Sequence, residues 1–87
     1  MKMIITIVND EDADDVTRAL TQNDFRVTRI ASTGGFLRSG VVTLLSGVED
    51  ERVKAALAVI REILGESDAK EGRATVFVIP VKRFEKV

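Results

Sequence analysis

The chain has 87 residues, 45% of them hydrophobic and 31% charged, with a formal net charge of −1. That is the composition of an ordinary folded domain, and it argues against a basic field for nucleic acid or an anionic membrane. With no cysteine and no histidine, disulfides, thiolate metal sites, cysteine nucleophiles, the usual neutral-pH general base and a Ser-His-Asp triad are excluded.

A single domain, 1–87, is expected, with the thin stability margin that small chains often recover by oligomerising. The first apolar stretch is too short for a signal peptide or a membrane span, which points to the cytoplasm. Residues 3–8, "MIITIV", are β-branched and apolar and read as a buried strand. "NDEDADD" (9–15) follows, where Asn9 or Asp10 can cap a helix and the acids sit on the positive end of its dipole. Ala13, Val16 and Leu20 recur at helical spacing, which predicts a helix from about residue 11 to 22.

In "FRVTRIAS" (25–32), Phe25, Val27 and Arg29 alternate with Arg26, Thr28 and Ile30, as in a strand with one partly polar face. "TGGFLRSG" (33–40) is a connection, and "VVTLLSG" (41–47) is a second buried strand. "VEDERV" opens a helix whose apolar stripe is Val53, Ala56, Leu57, Ile60 and Leu64, with Gly65 placed to end it. "GESDAKEGR" (65–73) is a polar link, and "ATVFVIPV" (74–81) a last strand. Pro80 suggests the end or the edge of a sheet, because it cannot donate to a ladder. Phe77 reads as core, and Arg52, Lys54, Arg61 and Glu62 as a solvated helix face. The order is βαββαβ. It predicts an α+β, ferredoxin-like sandwich of an antiparallel sheet with two helices on one face. "IITIVNDEDADDV" and "VVTLLSGVEDERV" echo each other as a weak internal repeat of two halves. The fold by itself assigns no activity.

Two readings fit residues 33–40. In one, Gly34, Gly35 and Gly40 turn a generous hairpin while Phe36 and Leu37 fold onto the core. In the other, Gly34 and Gly35 let backbone amides approach a ligand, Phe36 and Leu37 offer an apolar surface to a flat ring, and Arg38 or Arg26 meets a phosphate. No Gly-Lys-Ser/Thr follows, so this is not a phosphate-binding Walker loop.

The whole stretch "NDFRVTRIASTGGFLRSG" resembles the cyclic di-AMP receptor proteins, a P-II-like family. "IVNDEDADDV", "LLSGVEDERV" and "ATVFVIPVKRF" match the same family in the same order, so the resemblance spans nearly the whole chain apart from 65–73. It implies a homotrimer of ferredoxin-like subunits that binds cyclic di-AMP in the clefts between neighbours. Carried over by position, it implies that Asn23, Arg26 and Thr28 line the cleft from the second strand. Thr33, Gly34, Gly35, Phe36 and Leu37 would come from the loop, and Gly47 would lie close to the ligand. No further cofactor is implied, and the downstream partner protein is unknown.

Two departures stand out. The link between the second helix and the last strand, long in the family, is reduced to "GESDAKEGR"; Lys86 stands where the family tail carries a glutamine. Lysine donates but cannot accept, so a two-sided amide contact to adenine is lost. The acidic run Asp10, Glu11, Asp12, Asp14 and Asp15 has oxygen ligands for Mg²⁺ but no EF-hand spacing, and no metal site is assigned. The reading is therefore a non-enzymatic receptor for cyclic di-AMP. Its alternatives are a P-II-like protein for another nucleotide, such as ATP, ADP or a different dinucleotide, and a structural trimer that binds none.

Overall fold

The computed structural model describes residues 1–31, 40–65, 74–83 and 85–87. Within these, β1 (Lys2–Asn9) runs straight into α1 (Asp10–Gln22), and β2 (Thr28–Ala31) and β3 (Val41–Val48) follow. A 3₁₀ turn (Asp50–Arg52) then leads into α2 (Val53–Leu64), and β4 (Ala74–Pro80) closes the order. The sheet is antiparallel throughout, in the order β2-β3-β1-β4. This is the ferredoxin-like βαββαβ arrangement the sequence predicts.

Strand alternation divides the sheet into two faces. Ile4, Thr6 and Val8 of β1 are buried, as are Val42, Leu44, Ser46 and Val48 of β3. They meet the helical layer through Ala13, Val16 and Leu20 of α1 and Ala56, Ile60 and Leu64 of α2. The sequence stripe of α2 thus faces the core, with Val53 partly buried at its start. The other face bears Met3, Ile5 and Ile7 of β1 with their partners in register, Ile79 and Phe77 on β4 and Thr43 and Leu45 on β3. Phe77, expected in the core, is 51% exposed on this open face, as is Ile79 on the same strand at 44%, with Ile30 at 47% on the opposite edge strand. The reason is parity: Phe77 pairs with Ile5, while its neighbours Val76 and Val78 pair with Thr6 and Ile4 on the helical side. β4 is also an edge strand among the described residues, with Pro80 as its last residue.

The joints are held by specific bonds. Asn9 occupies the position before α1, yet its side chain makes no cap. Instead the Asp10 N–H donates to the Gly40 carbonyl at 2.6 Å, so an orphan donor of the helix is satisfied from across the sheet end. Arg29 of β2 adds a bridge to the same turn, with Nη1 2.6 Å from Asp14 Oδ1 and Nη2 3.2 Å from Asp10 Oδ1. Part of the acidic run therefore anchors β2, in addition to sitting at the positive end of the helix.

The far end of α1 closes in a Schellman turn. The Phe25 N–H donates to the Leu20 carbonyl (3.0 Å) and the Asp24 N–H to the Thr21 carbonyl (3.1 Å), with Asp24 in the left-handed region at φ 66°. Leu20 and Phe25, the two apolar residues that flank this turn, both belong to the buried core. Leu20→Ala removes the turn's apolar anchor together with a core side chain. It is expected to cost about 3 kcal/mol, read as a lower urea midpoint with an unchanged slope.

Candidate functional site

The segment between α1 and β2 carries the first candidate residues, and three interactions fix it. Asn23 ends α1, and its Nδ2 donates to the Ala19 carbonyl at 2.8 Å. The Asn23 carbonyl accepts from Arg52 Nη2 at 3.1 Å, while the Arg52 guanidinium lies 4.2 Å from the centroid of the Phe25 ring. Arg52, expected on a solvated face, is thus a clamp that joins the start of α2 to the turn after α1, part hydrogen bond and part cation–π contact. The third interaction comes from β3, where the buried Ser46 hydroxyl donates to the Arg26 carbonyl at 2.5 Å.

Because Phe25 and Val27 pack into the core, the intervening Arg26 points the other way, and so does Thr28. Both line a cavity of about 470 Å³ at one end of the open sheet face, well within the range of roughly 300–1,000 Å³ usual for small-molecule sites. Met3 and Leu45 form its apolar wall, Met1 and Val81 contribute from the edges, and Gly47 and Lys86 complete it. The register explains the grouping: Thr28 pairs with Leu45, and Met3 pairs with Gly47. The tail reaches the cavity because the Val81 N–H donates to the Met1 carbonyl at 3.0 Å, which continues the β1–β4 ladder by one step. The Met1 ammonium is itself 3.0 Å from Asp50 Oδ1, and it holds that carboxyl below its usual value.

Gly47 is exposed and has no positive φ to require a glycine; a Cβ placed there would come no nearer than 3.9 Å to Met1 Sδ. What the missing side chain leaves is room in the cavity.

The structure therefore brings Arg26, Thr28 and Gly47 together. It places Asn23 at the helix end beside them, with its amide turned back onto α1. Thr33, Gly34, Gly35, Phe36 and Leu37 lie outside the described residues. The described ends of that connection sit at the other end of β2, where Ala31 pairs with Val42. Met1, Met3, Leu45 and Val81 were not among the sequence-predicted site residues. Leu45 shares the face of Gly47 on β3, but only the β1–β3 register brings Met3 beside them. No group of acidic residues suited to a metal ion occurs among the described residues. Nor is any helix among them long and apolar enough to cross a membrane.

The comparisons with known proteins agree with this architecture. The model of the cyclic-di-AMP receptor family matches residues 1–70. A crystal structure of a functionally unknown protein from Pediococcus pentosaceus superimposes with a TM-score of 0.79 at 36% identity, over 99% of this chain and 96% of that one. The fold defines a small α+β protein of the ferredoxin-like class. More particularly, the chain belongs to the cyclic-di-AMP receptor family.

Ser46→Ala deletes the hydroxyl that holds the Arg26 carbonyl. It should lower the free energy of unfolding by about 1 kcal/mol in urea titration, and the amide resonances of Arg26 and Val27 should shift while those of α2 stay in place.

Proposed function

We propose that the protein is a cytoplasmic receptor that binds cyclic di-AMP in the clefts between subunits of a homotrimer and signals to a downstream protein. The observation that carries this reading is the cavity on the open sheet face, which gathers Arg26, Thr28 and Gly47 in a chain of this receptor family.

The chemistry suits the ligand. Cyclic di-AMP has flat purines and two phosphodiesters. The purine needs an apolar surface, which Met3, Leu45 and Val81 offer, and space, which Gly47 leaves. A phosphodiester needs a guanidinium and hydroxyl donors, which Arg26 and Thr28 provide. Asn23 acts one step back: it ends α1 and, through Arg52, sets the direction in which Arg26 leaves the turn. Thr33, Gly34, Gly35, Phe36 and Leu37 belong to the site as contributions of a neighbouring subunit, with their backbone groups at the adenine edge and Phe36 and Leu37 against its ring.

The exposed apolar face supports the trimer. Ile30, Phe77 and Ile79 are each more than 40% exposed, on a sheet face without helical cover. Contiguous apolar surface of this kind marks an interaction site, and the cavity lies at its end, where a neighbour would close it. Nothing in this arrangement activates a water or a nucleophile, so the role is binding.

Calorimetric titration tests the reading. Wild-type protein should bind cyclic di-AMP at one ligand per subunit and in preference to ATP and cyclic di-GMP. Arg26→Ala should weaken that binding by about a hundredfold, as the loss of a charge-assisted phosphate contact predicts. Gly47→Val should abolish binding while the melting temperature holds or rises, because valine suits a strand and fills the vacant space. Full affinity in both variants would refute the proposed site. The assembly has its own test. Sedimentation equilibrium should give a trimer mass for the wild type and a monomer mass for Phe77→Glu, and a trimer unaffected by that charge would move the interface elsewhere.

A further inference from the structure

The charge pattern of the cavity goes beyond one arginine. Among the described residues that line it, the Met1 ammonium is taken up by Asp50, and the two with charged side chains, Arg26 and Lys86, are both cations from distant parts of the chain. Both are exposed, and among the described residues neither side chain is paired with a carboxylate. The acid nearest Lys86 in sequence, Glu85, is taken up in an ion pair with Arg83. Arg29, on the helical side of β2, is saturated by Asp10 and Asp14. In a chain of net charge −1, cations and acids otherwise largely offset each other, whereas the described lining of this apolar-walled cavity has two cationic side chains and no acidic one.

We infer that Lys86 is a second anion contact, so that the cavity takes a ligand with two separated anionic groups on an apolar or aromatic body. The inference rests on the receptor reading and deepens it: for cyclic di-AMP, Arg26 takes one phosphodiester and Lys86 the other. The two contacts differ in kind. The guanidinium forms a planar, bidentate fork, while the ammonium is a point charge on a flexible stem. Lys86 therefore supplies attraction more than orientation, and its contribution is screened by salt in a way that stacking on the apolar wall is not.

The test is titration of cyclic di-AMP, with ATP as a second probe, into wild type, Lys86→Met and Lys86→Arg at low and high sodium chloride. Lys86→Met keeps the apolar stem and deletes the charge. At low salt it should bind about fivefold more weakly, the size expected of a solvent-accessible charge pair, and the gap to wild type should narrow at high salt. Lys86→Arg should stay close to wild type at both. Circular dichroism melts of the three proteins should coincide, since the Lys86 side chain is exposed.

Wild-type binding of cyclic di-AMP with no loss in Lys86→Met at low salt overturns this inference and leaves the receptor reading standing. If the wild type binds ATP alone, the receptor ligand is wrong, and the same comparison on ATP decides the role of Lys86. Binding of neither nucleotide overturns both.

Discussion

Both described helices cover the same face of the sheet, and the arrangement of the candidate site depends on that. The four-stranded sheet of this 87-residue chain has two sides, and among the described residues the helices pack on one. Each strand must therefore serve two environments at alternate positions. The buried positions, Ile4, Thr6 and Val8 facing Val42, Leu44 and Ser46, secure the fold. The intervening positions are released from packing and are free to become a site. Arg26, Thr28 and Gly47 are members of that second set.

The clamp around residues 23–26 links the two sets. Ser46 stands on the helical side of β3 but bonds to the backbone of a residue whose side chain stands on the open side. Arg52, at the start of α2, grips the turn through the Asn23 carbonyl and the Phe25 ring. The core thus reaches through the sheet and sets the position of the cationic group without burying it. That separation keeps the guanidinium hydrated and available while its backbone is held in place, which is how a binding group is best preorganised.

Much of the fold was legible in the sequence, because its signals are local. The period of α2, the β-branched run of β1 and the acidic helix start each sit within a few residues. The misreadings occur where the deciding partner is distant. Phe77 lies in "TVFVI", an unbroken apolar run with no polar residue to mark which parity faces the helices, and only pairing with Ile5 decides it. Arg52 is the exposed cation the sequence suggests, but its grip on Phe25 shows only once the fold carries that ring beneath it. Asn9 has the chemistry of a cap, yet Gly40 supplies the bond. In the candidate site, Arg26, Thr28 and Gly47 were legible through the resemblance to the receptor family, which marks them by position. Met3, Leu45 and Val81 were not, because an apolar residue that lines a cavity looks the same in sequence as one that fills a core.

The two bonds at Asp10 have a bearing on how this chain can vary. Its backbone N–H holds Gly40 and its carboxylate holds Arg29, so the connection between β2 and β3 leaves and returns within reach of a single residue. A change of sequence or length between these two fastenings therefore meets a closure cost that grows only with the logarithm of the length, while the pairing of Ala31 with Val42 keeps its place.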